Sequence, residues 1–137
     1  LQTAAAFGKD FGGSSFGSYD QLIADPEVEV VYVSLPNHLH REWSIKALRA
    51  GKHVLCEKPF ARNAIEAEEM FRVAEETGRM LVEAFMYRCK PSVIRFIEML
   101  REGIIGDIRL IRSNFTFCRD VQPGDARYEP SMAGGSL

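Results

Sequence analysis

The sequence predicts an α/β protein: a parallel sheet with crossover helices, followed by the start of an α+β segment. Three observations predict it. Short apolar runs at residues 28–34, 53–56 and 80–85 are separated by stretches with helical spacing. The connections are short, and the order strand, helix, strand, helix, strand is that of a right-handed parallel unit. After Phe85 the pattern changes to a helix and then to an alternating apolar and polar run, as in a strand with one buried face.

Each element has its own signal. Residues 1–10 are Ala-rich and read as helix, and the Gly/Ser-rich stretch 11–17 as a connection. Residues 19–24 form a short helix that Asp25-Pro26 stops. The run VEVVYVS at 28–34 is β-branched with little alternation, which predicts a strand buried on both faces, ended by Pro36. Leu39, Trp43, Ala47 and Leu48 recur at helical spacing, with Trp43 expected in the core and Gly51 just past the helix end. A second strand covers 53–56. Asn63 with Glu66 three residues on reads as a capping pair. Ala67, Met70, Phe71 and Ala74 give that helix its apolar stripe, and Gly78 closes it. Glu66, Glu68, Glu69, Glu75 and Glu76 read as its solvated face. A third strand covers 80–85.

Beyond a boundary near residues 87–90, Pro91 opens a helix carrying Val93, Ile97 and Leu100 on one face, with Gly103 at its end. Residues 107–117 predict an antiparallel strand, with Ile111, Ser113, Phe115 and Phe117 on one side. Residues 119–130 are polar, contain Gly and Pro, and read as loop. The predicted division is 1–88 and 89–137.

The 137 residues suffice for one modest domain with a core. A net charge of −2 provides no basic footprint for nucleic acid. No apolar run reaches the roughly 20 residues of a membrane span. Cys56, Cys89 and Cys118 are odd in number and widely spaced, which favours free thiols in a reducing, cytoplasmic setting over disulfides or zinc. Cys56 reads as a small buried hydrophobe. His38 and His40 lack a third ligand at useful spacing, so no metal site is expected. Both chain ends look internal to a longer protein. An isolated piece of this length is expected to fold poorly and to be inactive.

Chemistry concentrates where strands turn polar. The run Gly51-Lys52-His53-Val54-Leu55-Cys56-Glu57-Lys58-Pro59 passes from apolar strand to acid, base and proline. The carboxyl edge of an open parallel sheet is where such folds place ligands. Ser34-Leu35-Pro36-Asn37-His38-Leu39-His40 leaves the preceding strand and, if the strands are neighbours, opens onto the same crevice. A carboxylate suits a ribose diol, and a lysine suits a substrate hydroxyl or carbonyl oxygen.

These blocks resemble the glucose-fructose oxidoreductase/inositol dehydrogenase (Gfo/Idh/MocA) family. The resemblance runs through Ser18-Tyr19, Asp25-Pro26, the Pro36 to His40 loop and the Gly51 to Pro59 block. It continues through Glu83-Ala84-Phe85-Met86-Tyr87-Arg88, Gly103-Ile104-Ile105-Gly106 and Gly134-Gly135-Ser136-Leu137. It implies part of a Rossmann sheet, then the beginning of an α+β domain with an open, mostly antiparallel sheet that packs in homo-oligomers. It implies NAD or NADP as cofactor and hydride transfer to or from a CH–OH group of a sugar, polyol or related alcohol or dihydrodiol. It assigns Leu35, Pro36 and Asn37 to the nicotinamide ribose region, Glu57 to the ribose hydroxyls and Lys58 to the reacting oxygen. Arg88 goes to the nicotinamide end and His40 to the substrate pocket. The family's Gly-x-Gly-x-x-Gly loop and its His or Tyr acid/base have no counterpart in these residues. Lys90 stands where close relatives carry His or Asp. The alternative is a non-catalytic nicotinamide-binding sensor of the same fold.

Overall fold

Local chemistry fixes the helix ends. The computed structural model describes residues 2–116, 118 and 124–135. Helix α1 spans Gln2–Phe11 and α2 spans Tyr19–Ala24. At the start of α2 the Ser18 hydroxyl accepts from the Gln21 amide at 3.1 Å, while the Gln21 side chain accepts from the Gly17 amide at 2.8 Å. This reciprocal cap satisfies two otherwise orphaned donors.

Strand β1 spans Val30–Val33, α3 spans His40–Arg49, β2 spans His53–Cys56, α4 spans Ala64–Thr77 and β3 spans Leu81–Glu83. The three strands form one parallel sheet in the order β1-β2-β3, and its register sets Val33 opposite Cys56 and Cys56 opposite Glu83. The strands are shorter than the apolar runs at 28–34 and 80–85, because pairing stops where the partner strand stops. A single 3₁₀ turn, Asn37–Leu39, leads into α3. Asn63 caps α4, its side chain accepting from the Glu66 amide at 3.0 Å. Gly78 closes α4 with φ 63°, a left-handed backbone that costs glycine little.

Helices α3 and α4 pack on one another and on the same face of the sheet. The core there is Val33, Val54 and Cys56 from the strands with Ile45, Ala47, Leu48, Met70, Val73 and Ala74 from the helices, closed by Phe60. Leu48 and Met70 are fully buried, each worth about 1.5–3 kcal/mol of transfer free energy.

Three expectations are corrected here. Residues 28–34 are not buried on both faces: Val30, Tyr32, Leu55 and Val82, on the face opposite α3 and α4, stay exposed among the described residues. The β-branched run reflects strand propensity as well as burial. Trp43 is only half-buried, set edge-on to Tyr19 and covered by the Lys46 ammonium. The inward face of α3 carries His40, Ser44, Ala47 and Leu48 instead. Glu66 is not solvated but buried, because its carboxylate accepts from the amide and guanidinium of Arg62.

The chain divides into two compact units, Leu1–Ala84 and Phe85–Leu137. The second holds a 3₁₀ turn at Met86–Cys89, helix α5 at Pro91–Arg101 and a 3₁₀ turn at Pro130–Met132. The expected antiparallel strand over 107–117 does not form among the described residues. Alternation specifies a face, but a strand also needs a partner strand to pair with, and residues 107–116 take no strand conformation. Phe117, residues 119–123 and Ser136-Leu137 lie outside the described residues.

Candidate functional site

The register of the sheet builds the site. The Glu57 amide donates to the Val33 carbonyl at 2.9 Å, and the Ala84 amide to the Cys56 carbonyl at 2.8 Å. The carboxyl ends of the three strands are therefore level. The exit of β1, through Leu35, Pro36 and Asn37, lies beside the exit of β2 at Glu57 and Lys58. Leu35, Pro36, Asn37 and Glu57 are half-buried, while Lys58 is exposed. The Lys58 ammonium makes no hydrogen bond or ion pair among the described residues.

Glu57 is held in place. The Tyr32 hydroxyl donates to its Oε1 at 2.6 Å, and the Lys58 amide donates to its Oε2 at 3.0 Å. Chiefly through the Tyr32 hydrogen bond, with help from the Lys58 amide and the Lys58 and His40 charges, its carboxyl sits below the usual carboxylate range. The same bond pushes the Tyr32 phenol up. Glu57 is thus an ionised acceptor, and each of its oxygens has one lone pair left for a further donor.

The loop after Lys58 is tied from two sides. Lys58–Pro59 is a cis peptide. The Phe60 amide donates to Glu83 Oε1 at 2.9 Å, and the Pro59 carbonyl lies 2.8 Å from His40 Nδ1. His40 Nε2 lies 2.7 Å from the Leu35 carbonyl. With 1% of its surface exposed and both nitrogens against main-chain oxygens, His40 has no polar atom to offer a pocket, contrary to its expected place among substrate-binding residues. Cys56 is buried at the base of the loop, and burial pushes its thiol up to about 11.

Arg88 belongs to the second unit, is exposed, and has no ion pair among the described residues. Leu35, Pro36, Asn37, Glu57 and Lys58 are brought together in the first unit. Among the described residues no group of three or more His, Cys, Asp or Glu side chains could hold a metal ion. A surface cavity of about 650 Å³ lined by Phe7, Ser18, Tyr19 and Trp43 contains none of the predicted site residues.

The contacts made by Tyr32, Glu83 and Lys52 were not foreseen from the sequence. Tyr32 faces Leu55 across the sheet, so strand parity places it on the same side as Glu57, which is a readable signal once the register is known. Lys52 is buried, with its ammonium donating to the Asp25 carbonyl at 2.6 Å, and serves architecture.

A parallel α/β sheet with helical crossovers, carrying an ionised acid beside a lysine where β2 ends, is the class of α/β domain that places its ligands at the carboxyl ends of the strands. Residues 1–85 match the family described as "Oxidoreductase family, NAD-binding Rossmann fold", and the chain belongs to that Gfo/Idh/MocA family. It is 44% identical to dTDP-3,4-didehydro-2,6-dideoxy-alpha-D-glucose 3-reductase of Actinomadura kijaniata, over 98% of this chain and 40% of that protein. It is 40% identical to D-xylose 1-dehydrogenase (NADP(+)) 2 of Haloferax volcanii, over 90% of this chain and 38% of that one. The crystal structure of the 3-ketoreductase KijD10 from Actinomadura kijaniata, in complex with TDP-benzene and NADP, superimposes with a TM-score of 0.71. That match has 45% identity over 79% of this chain and 34% of that chain. The chain spans about two-fifths of the length of the curated relatives it matches.

Proposed function

We propose that this chain supplies the nicotinamide-ribose end of the cofactor site and a catalytic lysine to an NAD- or NADP-dependent oxidoreductase. Its substrate is a sugar, polyol or related alcohol or dihydrodiol. The observation that carries this is the pair Glu57 and Lys58 at the exit of β2: an ionised, hydrogen-bonded carboxylate next to an ammonium that has no hydrogen-bond or ion-pair partner among the described residues.

The residues present fit such a cofactor. Glu57 retains acceptor capacity for two hydroxyls, which is the chemistry of a ribose diol. Leu35 and Pro36 offer an apolar wall, and Asn37 an amide. When bound, the nicotinamide supplies a two-electron hydride donor or acceptor. The chain itself contributes position and charge. Glu57 fixes the ribose, and the Lys58 ammonium polarises the substrate oxygen and stabilises negative charge as it develops there. Arg88 is assigned to the nicotinamide end of the cofactor, and the second unit to the substrate side and homo-oligomer contacts. A cytoplasmic location agrees with free Cys56, Cys89 and Cys118.

The test is steady-state kinetics of the full-length gene product with NADP⁺ or NAD⁺ and a panel of aldoses and diols. Lys58→Ala lowers kcat by about 10²–10⁴-fold and leaves cofactor affinity within about threefold. Near-normal turnover in that variant removes Lys58 from the mechanism. Tight cofactor binding by the wild type, with no turnover on any substrate, favours the sensor reading instead.

A further inference from the structure

We propose that His40 is a positioning residue that braces the two strand-end loops of the site against each other, so that Asn37 and the Glu57-Lys58 pair keep a fixed spacing. This rests on the nucleotide-binding reading above.

The argument begins with an anomaly in α3. Positions 40, 44, 47 and 48 form its inward face, and at the first of them an imidazole replaces the expected aliphatic group. Burying a polar ring is costly unless its nitrogens are satisfied. Here both lie within hydrogen-bond distance of carbonyls in different loops: Nε2 is 2.7 Å from that of Leu35, after β1, and Nδ1 2.8 Å from that of Pro59, after β2. A carbonyl oxygen only accepts, so a neutral imidazole serves one of these contacts and an imidazolium both. No aliphatic residue of similar volume can join the two carbonyls.

The contacts fall where the site needs them. Leu35 is two residues before Asn37, and Pro59 directly follows Lys58. The loop's other side is held independently from β3, where Glu83 accepts from the Phe60 amide at 2.9 Å. Lys58 therefore sits on a segment pinned from α3 and from β3, while its own side chain stays exposed. A lysine on an unbraced loop would sample many positions. Productive geometry tolerates errors of only a fraction of an ångström.

The experiment compares His40→Leu, which keeps bulk and removes both donors, with His40→Gln, whose amide nitrogen has two N–H groups. Lys52→Met is the control for general destabilisation, since Lys52 bonds the Asp25 carbonyl and touches neither loop. All are made in the full-length gene product. NADPH binding is followed by its fluorescence, melting by circular dichroism, and backbone hydrogen exchange over residues 35–39 and 57–61 by mass spectrometry. His40→Leu weakens NADPH binding by about tenfold, on the scale of one lost hydrogen bond, and raises exchange in both segments. His40→Gln returns both readouts toward wild type. Lys52→Met lowers the melting temperature without changing NADPH binding. If His40→Leu does not fold, His40→Asn replaces it, because its shorter amide cannot span both carbonyls and carries the same expectation. Unchanged NADPH binding in the donor-deficient variant, or weakening that merely tracks melting temperature as Lys52→Met does, overturns the inference alone. Failure of the wild type to bind NADPH or NADH overturns the nucleotide-binding reading and this inference with it.

Discussion

At the scale of single residues, chemistry and architecture divide within one short segment. Cys56, Glu57 and Lys58 are consecutive, yet the first is fully buried, the second half-buried and the third exposed. Burial and a thiol pushed up to about 11 make Cys56 inert. Brief iodoacetamide treatment at about pH 8, near an ordinary thiol's value, labels Cys89 and Cys118 and spares Cys56, as peptide mapping will read. Labelling of Cys56 in folded protein would contradict its burial. Lys52 illustrates the other role. Lys52→Met removes one of two donors to the Asp25 carbonyl, leaving the Val28 amide at 3.2 Å, and destabilises by about 1 kcal/mol, measured by urea unfolding with unchanged m-value.

At the scale of elements, helix ends were more legible than helix faces. Asn63 and Gly78 act as local spacing requires, because a cap is settled within one turn of chain, while the Glu66 carboxylate accepts from the Arg62 amide rather than from that of Asn63. Asn63→Ala accordingly costs about 1 kcal/mol, visible as a lower urea midpoint, and Asn63→Asp costs less because its carboxylate still caps. Faces depend on partners remote in sequence. Trp43 was expected in the core and His40 in a pocket, but packing of α3 on α4 and the sheet turned His40 and Ser44 inward and left Trp43 at the margin. Residues 107–116 make the same point for a strand. Their alternation is real, but alternation alone does not supply a partner strand, and no strand forms over these residues.

At the scale of the molecule, each compact unit has its own character. The first has a core on one side of its sheet and an apolar row, Val30, Tyr32, Leu55 and Val82, exposed on the other. In the second, α5 buries none of its residues. Stability is therefore concentrated in the first unit and carries a defined acid limb. Glu66 is held low chiefly by its Arg62 hydrogen bond, and Glu57 chiefly by that of Tyr32. A carboxylate whose folded value is depressed adds stability that is complete above its unfolded value, about 4.3 for glutamate. That stability is lost as pH falls through the folded value. Urea midpoints taken downward from neutral pH will fall below about pH 4.3. Glu66→Gln will lower the neutral midpoint and flatten the acid limb, and an unchanged limb would show that Glu66 does not contribute to it.

By itself the sequence determined the parallel α/β class, the order of its elements, the caps of α4 and the Glu57-Lys58 pair at a strand end. These follow from periodicity, local capping and the abrupt change from apolar to charged residues, all of which act over a few positions. Only the tertiary structure decided that the exits of β1 and β2 are level, that Tyr32 holds Glu57, and that His40 joins Leu35 to Pro59. Those contacts span 5 to 25 residues of chain and depend on strand register and helix rotation. Register and rotation are selected by packing of the whole core, which no local pattern encodes.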